Sequence, residues 1–212
     1  MSDPRDVIAA RAALELRAGE VVNLGIGIPN RIPGFLPAAT DVFLHTENGL
    51  LGVGPRPAPD DVDPEAIDAG KRPVTLAPGA AVFDSAASFA MIRGGHIDAV
   101  VLGALEVSET GDIANWTIPG GATLGVGGAM DLVVGARRVI VTMTATTPEG
   151  APKLVERCAL PLTAAGVVST VITEHAVFRF EPDGLVLAEL LDGASEEQVA
   201  AETGARYRVA LG

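Results

Sequence analysis

Ala99-Val100-Val101-Leu102, Val139-Ile140-Val141 and Val167-Val168-Ser169-Thr170-Val171-Ile172 are apolar runs, rich in β-branched residues and almost free of polar alternation. A strand with one wet face alternates apolar and polar side chains, whereas a strand covered on both faces does not. The three runs therefore predict buried strands of a mixed, largely parallel sheet flanked by helices, an α/β fold. Helical patterns separate several of them, around Ser85 to Arg93 and Ala129 to Ala136. Upstream, residues 4 to 18 read as an amphipathic helix with Asp3 as N-cap, Pro4 at the first helical position and Gly19 at its end. Val21-Val22-Asn23-Leu24 and Val42-Phe43-Leu44-His45 read as short strands that run into loops. Residues 55 to 73, rich in proline and aspartate, read as a surface excursion. Downstream, Val177-Phe178-Arg179-Phe180 and Leu185-Val186-Leu187 flank Pro182-Asp183-Gly184, a hairpin signal. Ser195-Glu196-Glu197-Gln198 is a capping box for a final helix that stops at Gly204. No repeat or linker divides the chain, so residues 1–212 read as one domain.

Composition narrows the function classes. The chain has 212 residues, 48% hydrophobic and 20% charged, which suits a globular domain with a full core. Its net charge of −12 repels phosphate backbones and argues against nucleic acid as a partner, while leaving room for one phosphorylated ligand in a local patch. The single cysteine, Cys158, permits no disulfide within the chain and fits a reducing compartment. Met1-Ser2-Asp3-Pro4-Arg5-Asp6 is charged and lacks the apolar core of a secretory signal. No apolar run reaches the ~18 residues that a bilayer span needs. The expectation is a cytoplasmic protein that does not bind membranes.

Residues with chemical potential are few. Glycines cluster at Gly25 and Gly27, at Gly49, Gly52 and Gly54, and at Gly120, Gly121, Gly125, Gly127 and Gly128. They read either as tight turns or as backbone amides that line a ligand cleft. Neither a dinucleotide fingerprint nor a Walker A loop can be written through them. His45, His96 and His175 are too scattered in sequence to suggest a metal site. Cys158 lacks a nucleophile context and reads as a packed thiol, and no GxSxG elbow is present. Glu47 follows a strand and precedes Asn48-Gly49, a dipeptide prone to tight turns. It reads either as a solvated hairpin carboxylate or as a carboxylate presented at the C-terminal edge of a sheet, where open α/β folds place ligands. The apolar, kinked Leu50-Leu51-Gly52-Val53-Gly54-Pro55 that follows favours a partly desolvated position.

Leu44-His45-Thr46-Glu47-Asn48-Gly49-Leu50-Leu51-Gly52 resembles the active-site glutamate segment of the 3-oxoacid CoA-transferase β subunits, which are class I CoA-transferases. The resemblance runs through nearly the whole chain. Val22-Asn23-Leu24-Gly25-Ile26-Gly27-Ile28-Pro29 is similar to the family's first glycine loop. Ser88 to Asp98, Gly111 to Trp116 and Gly127-Gly128-Ala129-Met130-Asp131-Leu132 follow in the family's order. There are departures. Thr46 stands where the family usually has serine, Glu106 where glutamine is common, and Pro119 to Gly125 lacks the lysines that many relatives carry.

The resemblance implies a class I CoA-transferase-like domain in which Glu47 is the nucleophile. It implies an oxyanion amide on the Gly127-Gly128 loop, at Gly128, and places Asn23, Gly25, Gly27, Lys71 and Gly127 near CoA. CoA is then a substrate, and neither a permanently bound cofactor nor a metal is expected. An α-type subunit would complete the site, in a heterodimer or a dimer of heterodimers. The implied reaction moves CoA from succinyl-CoA to a 3-oxo acid such as acetoacetate or 3-oxoadipate. Two rival readings stay open: an acyl-CoA thioesterase, and a non-catalytic β-like subunit that only binds CoA.

Overall fold

The computed structural model describes residues 3–37, 40–120 and 125–212. In chain order the elements are α1 (Pro4–Ala13), β1 (Val21–Leu24), β2 (Phe43–Thr46), β3 (Leu50–Val53), β4 (Leu76–Val82) and α2 (Ser85–Arg93). They continue with β5 (Ala99–Leu102), β6 (Glu106–Ser108), β7 (Ile113–Ala114), α3 (Ala129–Gly135), β8 (Arg138–Thr142) and β9 (Leu154–Val155). The chain closes with β10 (Thr170–Ile172), β11 (Ala176–Glu181), β12 (Gly184–Leu190), α4 (Glu196–Glu202) and β13 (Arg208–Val209). A ten-stranded sheet runs β13-β12-β11-β10-β8-β5-β1-β2-β3-β4, and β7-β6-β9 forms a small second sheet. The five central strands, β10-β8-β5-β1-β2, are mutually parallel, and antiparallel hairpins extend both sides. No helix among the described residues is long and apolar enough to cross a membrane.

The apolar runs behave as two-sided burial demands. Ala99 and Val101 of β5 face the layer of α1, with Ile8, Ala9, Ala12, Val22 and Leu44. Val100 and Leu102 face the opposite layer, with Ile92 of α2 and Leu132 and Val133 of α3. Residues 22 and 44 thus belong to the α1 face, and the alternation of a strand sends Asn23 and His45 to the α2 face. Parallel pairing sets Asn23 of β1 beside His45 of β2 and beside Val100 of β5.

Several expected boundaries move. The helix expected over residues 4 to 18 ends at Ala13. Leu14, Glu15 and Leu16 then make i→i−3 bonds to Arg11, Ala12 and Ala13, a tightened last turn. Tertiary charge accompanies the stop: Glu15 pairs with Arg179 (2.7 Å), and its carbonyl accepts from Arg138. The run from Val167 yields a strand only over Thr170–Ile172, because the amides of Val167 and Val168 both turn to the carbonyl of Gly111. The capping box is half-formed. Ser195 Oγ accepts from the Gln198 amide, but the Gln198 side chain reaches toward His175 and Glu202 instead of back to Ser195. The β11–β12 hairpin closes through Pro182-Asp183 as expected.

Candidate active site

Glu47 opens the three-residue loop that joins β2 to β3. The loop is tight because Gly49 adopts φ +121°, its N–H donates to the Thr46 carbonyl at 3.0 Å, and its own carbonyl accepts from Phe83. Glu47 is half-buried, just beyond the C-terminal end of β2 and on the α2 side of the sheet. Open α/β sheets bind ligands at that edge, near the point where strand order reverses. Here the reversal lies between β1 and β5, which both flank the same region.

Two neighbours shape the carboxylate. The Asn23 side-chain amide donates to Glu47 Oε2 at 3.2 Å. Gly128, at the start of α3, lies directly against the side chain: a Cβ there would stand 3.2 Å from Glu47 Cγ and 3.2 Å from the Phe89 ring. The Gly128 N–H donates to no group among the described residues. Behind Glu47 the network continues inward. Asn23 also donates to His45 Nδ1 at 3.1 Å, and His45 Nε2 lies 3.1 Å from Ser88 Oγ. Asn23, His45 and Ser88 are all buried, and Phe83 stacks on the imidazole at 6.2 Å. Burial pushes the His45 imidazole down to about 4, so the ring is neutral at physiological pH. Asn23 Oδ1 and Thr46 Oγ1 are buried with no partner among the described residues.

A half-buried carboxylate beside a backbone amide that has no acceptor among the described residues is an arrangement for acyl chemistry. The profile of the Coenzyme A transferase family matches residues 5–202. The chain belongs to that family. This CoA-transferase is 48% identical over 208 residues to the beta chain of the acetate CoA-transferase of Escherichia coli (strain K12), covering 98% of this chain and 95% of that one. It is 49% identical over 207 residues to the B-type subunit of the succinyl-CoA:3-ketoacid coenzyme A transferase of Helicobacter pylori (strain ATCC 700392 / 26695), covering 98% and 100%. The acyl-CoA transferase YdiF apoenzyme of Escherichia coli O157:H7 shares the fold, with a TM-score of 0.79 and 24% identity over 99% of this chain and 43% of that one.

The transferase brings some sequence-derived residues together and separates others. Glu47, Asn23 and Gly128 meet. Asn23, expected near CoA, is fully buried with its amide on Glu47, so its side chain addresses the carboxylate. Gly25 ends the β1 ladder by donating to the Val101 carbonyl at 2.8 Å, and a Cβ there would strike Leu102 at 2.8 Å, so close packing explains it. At Gly27 (φ +97°) and Gly127 (φ +49°) an added Cβ would meet nothing within 4 Å among the described residues. Lys71 is exposed at the tip of a loop (φ +61°) that Arg72 clasps through Asp68 and that Asn48 ties to the glutamate turn by donating to the Ile67 carbonyl at 2.9 Å. Beside that loop lies a cavity of about 420 Å³, walled by Leu24, Leu44, Val53 and Val74 with Arg31, Arg56 and Arg72. A second, of about 450 Å³, sits at the ends of β1, β5 and β8 and is lined by Gly27, Arg5, Arg31 and Lys153. Of the stretch from Pro119 to Gly125 noted for its missing lysines, residues 121–124 lie outside the described residues. Glu106 accepts from the amides of Ala159 (2.7 Å) and Leu160 (3.0 Å), which gives it a loop-holding role. Burial, with Glu106 and Asp112 adding to it, pushes the Cys158 thiol up to about 11, in keeping with a packed thiol.

Sequence reasoning missed His45, Ser88 and Lys153. The signal for His45 was its position two residues before Glu47, which points its side chain to the same side of the sheet as the carboxylate that follows β2. Ser88 needed the helix packing, and no local pattern announces it.

Proposed function

We propose that Glu47 carries CoA between an acyl-CoA and a free carboxylic acid by ping-pong chemistry. A serine nucleophile would discard the thioester's free energy in an ordinary ester, whereas a carboxylate keeps every intermediate activated. Glu47 Oε1 attacks the thioester carbonyl carbon; the C–S bond breaks and CoA leaves as thiolate, giving a mixed anhydride. The thiolate then attacks the glutamyl carbonyl carbon, the anhydride C–O bond breaks, the first acid departs as its carboxylate, and Glu47 holds CoA as a thioester. The acceptor acid retraces these steps in reverse, with no net proton gained or lost.

The observation that carries this reading is the contact of Glu47 with Asn23 on one side and Gly128 on the other. With Asn23 on Oε2, the other oxygen is free to attack. When thiolate later adds to the glutamyl carbonyl, negative charge grows on the oxygen that Asn23 already addresses, and the second donor in this reading is the N–H of Gly128, the residue packed against Glu47 Cγ. The apolar cavity with its arginine rim suits the pantetheine arm and phosphates of CoA, near Lys71. The cavity lined by Lys153 and two arginines suits a substrate carboxylate. Lys153 makes no hydrogen bond or ion pair through its ammonium among the described residues; burial lowers its pKa and Glu174 opposes that. Succinyl-CoA as donor and a 3-oxo acid as acceptor, acetoacetate or 3-oxoadipate, are the favoured pair, on the strength of the Helicobacter relative's name. That relative and the Escherichia one are each named as one component of a larger enzyme, which supports an α partner here too.

The test is mass spectrometry of the chain reconstituted with an α subunit and incubated with acyl-CoA. A CoA adduct is expected on the Glu47 peptide, and Glu47→Ala is expected to abolish both adduct and transfer while the chain stays folded. Retained transfer in Glu47→Ala, or an adduct elsewhere, would refute the mechanism. Release of free CoA without its appearance on any acceptor acid would mark a thioesterase instead.

A further inference from the structure

We propose that His45 and Ser88 are positioning residues: a buried relay that orients the Asn23 amide and thereby fixes which oxygen of Glu47 attacks. The inference rests on Glu47 being the nucleophile. Asn23 is the only group among the described residues that hydrogen-bonds the carboxylate, so its orientation decides which face and which oxygen are presented. An asparagine amide can flip by half a turn, and the flipped form would aim Oδ1 at the Glu47 carboxylate, a repulsion with no donor between them. In the observed orientation both N–H groups are used, one on Glu47 and one on His45. His45 Nδ1 must then accept. Its proton therefore sits on Nε2, which donates to Ser88 Oγ. The order is Ser88 on α2, His45 on β2, Asn23 on β1 and Glu47 on the β2–β3 loop, so three separate elements lock one carboxylate.

Asn23 Oδ1, buried with no partner among the described residues, sharpens the case. A buried acceptor without a donor is costly, and a fold that needed Asn23 only for packing would do better with an apolar residue. Its presence there fits a residue needed for what its N–H groups do. His45 is also poorly suited to a direct role: it is 1% exposed and has Phe83 against its ring.

The relay requires one acceptor and one donor at position 45, and not an imidazole as such. A glutamine amide supplies both, whereas leucine supplies neither at similar size. The experiment uses the full chain with its α partner and measures kcat, KM for acyl-CoA, and the rate of the covalent half-reaction for His45→Leu, His45→Gln and Ser88→Ala. His45→Leu is expected to lower kcat and the half-reaction by about tenfold or more, with KM within about twofold, and His45→Gln to recover to within about threefold of the parent. Ser88→Ala, which removes only the hydroxyl, is expected to fall between them. Full kcat in His45→Leu, or equal losses in His45→Leu and His45→Gln while both keep their melting temperature, would overturn the relay. If His45→Leu fails to fold, Ser88→Ala decides, and unimpaired turnover there is the overturning result. Loss of transfer in Glu47→Ala alongside unaffected relay variants would sink the relay alone. Retained transfer in Glu47→Ala would sink the mechanism beneath it.

Discussion

Asn23 Nδ2 and Glu47 Oε2 stand 3.2 Å apart although one belongs to β1 and the other to the loop beyond β2. The parallel pairing that sets Asn23 beside His45 creates this contact, since Glu47 lies two residues further along the same face. Hydrogen bonds to a charged group contribute about 1.5–3 kcal/mol, which corresponds to roughly 10- to 150-fold in rate if lost at the transition state. Asn23→Ala should therefore lower kcat by about one to two orders of magnitude. Asn23→Asp should do worse, because it sets a second carboxylate against the first. Steady-state kinetics of the reconstituted enzyme decide the matter, and wild-type kcat in Asn23→Asp would remove Asn23 from the chemistry.

Gly128→Ala isolates geometry at Glu47, the nucleophile of the proposed mechanism. The backbone at Gly128 has φ −85°, which alanine adopts freely, so the added methyl acts only through space. It would meet Glu47 Cγ and the Phe89 ring at 3.2 Å, and must displace one by a few tenths of an ångström. Small displacements of reacting groups are expensive in rate, so kcat should drop about tenfold or more while the melting temperature changes by only a few degrees. An unchanged kcat would mean that the loop does not confine the carboxylate.

Gly49→Ala should fail differently. Its Cβ would stand 2.0 Å from the Phe83 carbonyl oxygen, and its φ of +121° is foreign to side-chain-bearing residues. The glutamate turn cannot form as it stands, and a loss of about 3 kcal/mol or more is expected, readable as a lower urea midpoint. Wild-type stability in this variant would contradict the turn geometry.

The parts of this site that the sequence made legible share one property: they are local. The β-branched runs announced β5, β8 and β10, and Asn48-Gly49 announced the turn behind Glu47, because burial on two faces and positive φ leave marks on neighbouring residues. The end of α1 was illegible because Arg179 and Arg138, far along the chain, fix Glu15 and its carbonyl. Ser88 was illegible for the same reason. Its partner His45 is 43 residues away, and only the packing of α2 on β2 joins them.

His45 also predicts an acid limb in stability. Its folded value of about 4 lies below the ordinary 6.5, so between those pH values the unfolded chain binds a proton that the folded chain refuses. Stability from this residue is intact above pH 6.5 and drains away as pH falls toward 4, by up to about 3 kcal/mol. His45→Gln, which has no proton to take up, should lose less melting temperature between pH 7 and pH 4.5 than the parent does. The difference should approach roughly 5–10 °C. Parallel pH profiles for the two proteins would refute a buried neutral imidazole.

The central sheet is assembled out of sequence order, and that has a cost in time. Val22 of β1 pairs with Ala99 of β5, 77 residues downstream. At a ribosomal pace of about 5–20 residues per second, β1 waits roughly 4–15 s on the nascent chain before its second neighbour exists. For most of that interval Asn23 lies on an uncovered strand face, since α2 (Ser85–Arg93) emerges only near its end and Gly128 follows after it. Such long-range parallel pairing folds slowly and leaves apolar strands open to wrong partners. Glu47 is thus translated early, while the Gly128 that packs against it arrives late.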